Sequence, residues 1–225
     1  MQPDIQLPPS TDVGFWEHYY HEPEIPWDLG EPAPPFIHDW LEHHPDFFKQ
    51  QNIQNAVVFG AGAGHDAALF AHQTGPNLII TGLDYAPSAI KLATKRYGQI
   101  PNLKFLQADC LNLANNPLAG SLKHAFDLAI EHTFFCAIQP DQRDAYIQNL
   151  IFALKPKGYV LGLFWNHGNS VSDGPPFDTS PDTIRKHFEP HFQILSLEEA
   201  KHSHPKRRNK EWLGCFQLKQ STPFS

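Results

Sequence analysis

Val57-Val58-Phe59-Gly60-Ala61-Gly62-Ala63-Gly64-His65-Asp66 is the stretch on which the fold turns. A short apolar run ends in three alternating glycines, and a helical stretch from Asp66 to Gln73 follows. Buried strand, glycine turn and helix in that order open an α/β unit. The pattern then repeats. Leu78-Ile79-Ile80-Thr81-Gly82-Leu83 is a second apolar run closing at Asp84, and Pro87 begins a helix that Ala89, Leu92, Ala93 and Arg96 carry to Gly98. Phe105-Leu106 and Phe126-Asp127-Leu128-Ala129-Ile130 are the third and fourth strand candidates. A helix from Asp141 to Leu154 stops before Lys155-Pro156-Lys157-Gly158, and Tyr159 to Trp165 forms a fifth strand. A helix near Pro181 to Phe188 and strands at Phe192–Leu197 and Trp212–Leu218 complete the series. Strands alternating with helices predict a mostly parallel, Rossmann-like sheet covered on both faces.

The chain has 225 residues, 41% hydrophobic and 18% charged. That is the length and balance of one globular domain spanning residues 1–225. Seventeen basic against 24 acidic residues give a net charge of −7, which disfavours nucleic acid and acidic membrane surfaces as partners. Cys110, Cys136 and Cys215 are too far apart for a disulfide framework or a metal knuckle, so a reducing, cytoplasmic setting is expected. No secretory signal and no membrane-spanning apolar run is read. His43-His44 and His202-x-His204 lack a third ligand at metal spacing, so no metal is expected.

Ahead of the strand–helix series the composition changes. Nine of the 21 prolines precede residue 50, together with Phe15-Trp16-Glu17-His18-Tyr19-Tyr20 and Ile25-Pro26-Trp27-Asp28-Leu29-Gly30. No sustained period runs through this stretch, apart from a short helix at Pro35 to Leu41. Its aromatics suit a segment folded onto something apolar, either a strap over the core or a lid over a ligand.

Gly60 and Gly62 let the backbone turn without a Cβ, and the amides of the next helix favour an anionic group. Asp84, 20 residues after Gly64, ends the next strand, where a carboxylate can accept from both hydroxyls of a ribose. The alternative is that it only caps the helix begun at Pro87. A dinucleotide fingerprint needs its third glycine one place later than this chain has it.

The Gly60–Asp66 segment, Glu131-His132-Thr133-Phe134-Phe135-Cys136-Ala137-Ile138, Leu154-Lys155-Pro156-Lys157-Gly158 and Gly174-Pro175-Pro176-Phe177 together resemble the thiopurine S-methyltransferase superfamily. Within it they are most similar to the thiol and halide methyltransferase branch. Trp16 and Pro26-Trp27-Asp28-x-Gly30 resemble that branch's cofactor-covering segment. The match runs from about Trp16 to Lys219. The resemblance implies a class I methyltransferase with a seven-stranded sheet whose last strand is antiparallel, using S-adenosylmethionine. Residues 15–45 would form its lid. Val58 stands where class I methyltransferases often carry an acidic residue, which this branch also tends to lack, and Tyr20 is a conservative departure from the branch's tryptophan.

Carried over position by position, the resemblance implies that Trp16, Tyr20 and Trp27 cover the cofactor. Gly60 and Gly62 would flank it, Asp84 would hold the ribose, and Asp109 with Cys110 would meet the adenine. His132, where plant relatives tend to carry tyrosine and thiopurine enzymes arginine, is a candidate for cofactor contact or for taking the acceptor's proton. Phe134, Arg143 and Arg208 are candidate acceptor contacts; for Arg143 a helix surface, and for Arg208 a solvated loop at 201–210, are the alternatives. Cys110 and Cys136 can equally be inert packing.

The expected reaction is methyl transfer to a small soft nucleophile (thiol, hydrosulfide, thiocyanate or halide) or to an aromatic thiol such as a thiopurine. Such an acceptor needs little base catalysis, and the chain shows no strong base beyond His132. A non-catalytic S-adenosylmethionine-binding protein and a nicotinamide-dependent oxidoreductase are the rival readings. The partner is expected to be a small-molecule acceptor, with the protein a monomer or weak homodimer.

Overall fold

The computed structural model describes residues 7–30, 36–167 and 174–220, leaving aside the side chains of residues 36–39. Its elements run α1 (Val13–Tyr20), α2 (Phe36–His43), α3 (Phe47–Gln50), β1 (Asn55–Phe59), α4 (His65–Thr74), β2 (Ile79–Asp84), α5 (Pro87–Tyr97) and β3 (Leu103–Gln107). Then follow α6 (Ala119–Leu122), β4 (Phe126–His132), α7 (Phe134–Ala137), α8 (Arg143–Ala153), β5 (Leu154–Trp165), α9 (Pro181–Phe188), β6 (Phe192–Glu199) and β7 (Glu211–Leu218).

The strands form a seven-stranded sheet in the order β3-β2-β1-β4-β5-β7-β6. β1 to β5 pair in parallel, while β7 runs antiparallel to both β5 and β6. The expected architecture and the reversed last strand are therefore present. Alternation along the strands supplies two cores. Val57, Phe59, Ala129 and Val160 face a layer holding Tyr146, Leu150, Ile184 and Phe188 of α8 and α9. Ala56, Val58, Leu128 and Leu161 face the other side, with Ala67, Phe70 and Tyr97 of α4 and α5. Both faces are thus dry, as a parallel sheet requires. Among the described residues no helix is long and apolar enough to cross a membrane.

Two local expectations differ from what the chain does. The stretch Phe15–Tyr20, read as lacking a period, lies in helix α1. Asp12 caps it by accepting from the Gly14 amide at 2.7 Å, and its aromatics face both the cavity and one another, so no apolar stripe is visible. The stop at residues 155–158 does end α8, yet the chain stays in the sheet: β5 begins at Leu154, opposite Phe126, and resumes at Tyr159, opposite Leu128. Lys157, at φ 64°, absorbs the irregularity.

α1 is tied to the body through Glu17, whose carboxylate accepts from the Ser88 amide at 2.8 Å and the Ser88 hydroxyl at 2.7 Å. Those groups lie in the first turn of α5, which has no side-chain cap of its own at Ala86. Glu17 thereby satisfies an orphan amide and meets the positive end of that helix. Glu17→Ala should lower stability by about 1 kcal/mol, the usual loss of a helix cap, readable as a lower thermal midpoint. A midpoint within error of the parent would show that this tie contributes nothing.

Candidate functional site

The carboxyl ends of the parallel strands carry, in order across the sheet, Asp84 on β2, Gly60 after β1, His132 on β4 and Trp165 on β5. Because β7 is reversed, its first residue, Glu211, pairs with Trp165 and lies at this same edge. Chain order reverses between β1 and β4, which opens the crevice where open α/β sheets bind ligands. A cavity of about 390 Å³ lies there, between the sheet edge and the N-terminal segment. Trp16, Tyr20, Trp27, Gly60, Gly62, Asp84, Asp109, Cys110, His132 and Phe134 all line it, so the candidates converge on one space.

The glycine turn is held open by its own backbone. Gly60, Gly62 and Gly64 have φ of 62°, 52° and 88°, left-handed values that cost a side chain strain. A Cβ on Gly60 would also stand 2.3 Å from the Phe134 ring. The Gly62 amide donates to Asp84 Oδ2 at 2.8 Å, and the Ala86 amide donates to Asp84 Oδ1 at 2.9 Å. Asp84 thus fixes the glycine turn and the entry to α5, while its side chain also lines the cavity. Burial raises its pKa to about 6 against the opposing pull of those amides.

Over this floor lies an aromatic cover. Trp27 meets Trp16, Tyr19 and Tyr20 edge-on at 5.3, 5.2 and 5.9 Å between ring centroids. Burial, reinforced by the negative Asp84, keeps the Tyr20 hydroxyl protonated. Next to Trp27, Asp28 sits 3.1 Å from His65 and 3.6 Å from Arg96. The hydrogen bond from His65, together with the Gly30 amide and the Arg96 charge, lowers the Asp28 pKa to about 2. The cover is therefore anchored to α4 and α5 on both sides of Trp27.

Beneath α7, Glu131 is fully buried; it accepts from the Phe135 amide at 2.8 Å and the Tyr146 hydroxyl at 2.6 Å. Burial raises its pKa to about 7. It sets the start of the turn that presents Phe134 and Cys136 to the cavity. Burial also pushes the Cys136 thiol up to about 12 and the Cys110 thiol well up, so neither is a thiolate nucleophile.

His132 is not free to act as a simple base. Its Nδ1 lies 2.8 Å from Asp66 Oδ2 and its Nε2 3.3 Å from Arg207 Nη1. A carboxylate only accepts and a guanidinium only donates, so the ring proton belongs on Nδ1 and the Nε2 lone pair faces Arg207. Arg207 lines the cavity, whereas Arg208 is exposed on the surface, so the basic residue of this loop that reaches the site is one place earlier than expected. Arg143 does not line the cavity either. It is buried, donates to the Asp178 carbonyl at 2.7 Å and stacks over Phe135 at 4.6 Å, holding the segment after Gly174. Asp66, Glu131, Arg207 and Glu211 were not singled out from sequence as site residues. Asp66 closes the glycine segment and Glu131 opens the second motif, while Arg207 and Glu211 are brought in from the far end of the chain. Among the described residues no group of three or more His, Cys, Asp or Glu is placed to hold a metal ion.

The described residues fit an adenosyl sulfonium. The Asp84 carboxylate, a glycine floor closed to a side chain at Gly60, a second carboxylate at Asp109 and an aromatic roof share one cavity.

Comparison with known proteins agrees. The family model described as thiopurine S-methyltransferase matches residues 11–222. Thiocyanate methyltransferase 1 of Arabidopsis thaliana is 31% identical over 209 residues, covering 91% of this chain and 85% of its own. A probable thiol methyltransferase 2 of the same plant is 29% identical over 222 residues, covering 97% and 90%. Among solved structures, the N-methyltransferase NodS of Bradyrhizobium japonicum with S-adenosyl-L-homocysteine matches at a TM-score of 0.65. Its identity is 15%, over 91% of this chain and 96% of that one, a likeness of fold alone.

Proposed function

The chain belongs to the thiopurine S-methyltransferase family and is an S-adenosylmethionine-dependent methyltransferase; from that premise we propose that its acceptor is a small soft nucleophile such as a thiol, hydrosulfide, thiocyanate or halide. The observation that carries this reading is the makeup of the acceptor end. The Arg207 guanidinium meets His132 on β4 and Trp165 on β5, two and three places from β2 in the sheet, which at about 4.8 Å per strand puts it roughly 10–14 Å from Asp84. Arg207 lies against the Trp165 ring and His132, and the same cavity is lined by Phe134, Cys136, Pro175 and Pro176, largely apolar. One guanidinium in an apolar wall suits a weakly hydrated anion.

The cofactor, when bound, supplies a methyl group on a sulfonium, already an excellent leaving group. The chain's own residues then have three tasks. Asp84 and Asp109 hold the nucleoside, Asp84 through the ribose hydroxyls. Trp16, Tyr20 and Trp27 exclude water. Arg207 orients the anion, while His132, with Nε2 committed to Arg207, supplies no proton acceptor. A hydroxyl or amine acceptor would require a base that the described wall does not offer.

The test is turnover of the purified protein with S-adenosylmethionine and iodide, thiocyanate, hydrosulfide, an aromatic thiol and a phenol. Methylation of the soft acceptors should exceed that of the phenol by at least tenfold. A parent enzyme that prefers the phenol would overturn the reading.

A further inference from the structure

Arg207 is held by a chain of ionisable groups that runs along the sheet edge. On one side its Nη1 is 3.6 Å from Glu211 Oε1, in a pair whose side chains are 4% and 0% exposed. On the other it donates toward His132 Nε2, and His132 in turn holds Asp66. The Trp165 ring lies flat against the guanidinium at 4.6 Å, and the Trp27 carbonyl stands 3.5 Å from Nη2. Among the described residues neither oxygen of buried Glu211 has a hydrogen-bond partner, so this carboxylate acts on Arg207 through charge. Among the described residues the charged groups that meet the guanidinium are thus Glu211 from β7 and, through His132, Asp66 from α4, so one cation faces two carboxylates.

That balance matters for the chemistry. In the transfer, a lone pair of the acceptor forms the new bond to the methyl carbon. The carbon–sulfonium bond breaks and its electron pair stays on the departing sulfur. An anion and a cation become two neutral molecules. A bare guanidinium beside the acceptor stabilises the anion before reaction and progressively less as its charge vanishes. Such binding holds the ground state and raises the barrier.

Resting on the acceptor reading above, we infer that Glu211 is a specificity-determining residue that tempers the field of Arg207, so that a soft anion is held at the methyl group without being trapped. The carboxylate sits behind the guanidinium, out of contact with the cavity, and its burial leaves its field unscreened by salt. Asp66 acts in the same sense through His132.

The experiment measures thiocyanate binding to the protein saturated with S-adenosylhomocysteine, alongside kcat and KM for thiocyanate and iodide. Glu211→Gln, which keeps the shape and removes the charge, should tighten thiocyanate about three- to tenfold while lowering kcat, so that KM and kcat fall together. Glu211→Asp restores the charge and should return both within about twofold of the parent. A merely structural role would instead raise KM and lower the thermal midpoint in both variants. Should Glu211→Gln fail to fold, Asp66→Asn removes the other carboxylate and should tighten thiocyanate in the same direction. A folded variant with unchanged or weaker thiocyanate binding overturns the role of Glu211, even where the parent methylates soft anions. A parent that neither binds nor methylates thiocyanate, iodide or hydrosulfide removes both this role and the acceptor reading.

Discussion

Asp84→Ala is expected to weaken S-adenosylmethionine binding about a hundredfold or more. Two ribose hydroxyls donating to an ionised carboxylate contribute ~1.5–3 kcal/mol each, and every ~1.4 kcal/mol is a factor of ten. The same carboxylate accepts from the Gly62 and Ala86 amides, so its loss also releases the glycine turn. Asp84→Asn, able to accept at one oxygen only and without charge, should fall between parent and alanine. Acid should act in the same sense. Burial raises the pKa of Asp84 to about 6, so as pH falls through that value the carboxyl takes up a proton and the charged acceptor is lost. Binding at pH 5 should be about tenfold weaker than at pH 7, since the protonated fraction is then roughly nine-tenths. Calorimetric titration of the three proteins at both pH values checks this. Equal affinity for Asp84→Ala and the parent would put the ribose elsewhere.

Trp27→Ala should slow turnover of thiocyanate or hydrosulfide at least tenfold and change cofactor affinity less than about fivefold. Trp27 is the hub of the cover, edge-on to three other aromatic rings, and its carbonyl meets Arg207. Removing the indole opens a path for water to the acceptor end. An anion that keeps its hydration shell reacts slowly, and desolvation effects of this kind reach ~1–5 kcal/mol. The cofactor retains Asp84, the glycine turn and Trp16, so its affinity falls less. Single-turnover rates and equilibrium binding for the variant separate the two effects; a variant with the parent's rate would show that the cover does not exclude water.

The alternation of apolar strands and helices made the sheet legible, because a strand buried on both faces has a composition that few other settings produce. The glycine-turn end of the cavity was legible too. Gly60, Gly62 and Asp84 lie within 25 residues, and the backbone geometry that joins them is local. The acceptor end was not. Asp66 and His132 are 66 residues apart, His132 and Arg207 a further 75, and no local pattern records that they meet. Arg207 and Arg208 are neighbours of one chemistry, and only the 3-10 turn at Pro205–Arg207 decides which side chain enters the cavity. Arg143 stood in a helix with polar neighbours, yet it is drawn inward by the Asp178 carbonyl and the Phe135 ring. Helix α1 leaves no period in the sequence because its aromatics are shared between the cavity and one another rather than gathered in a stripe.

The reversed β7 has a consequence for synthesis of the chain. It sits between β5 and β6 although it is made after both, so neither can reach its final neighbour until residues 211–218 have emerged. At roughly 5–20 residues per second, about 3–10 s separate the making of Trp165 from that of Leu218. Throughout that interval the apolar β5 shows an unpaired edge, a template for wrong partners. The end of the crevice that carries Gly60, Asp84 and His132 is synthesised well before the end that carries Arg207 and Glu211. A ribosome stalled near residue 200 would therefore hold a chain in which Asp84 and His132 are already made while Arg207 and Glu211 are still missing.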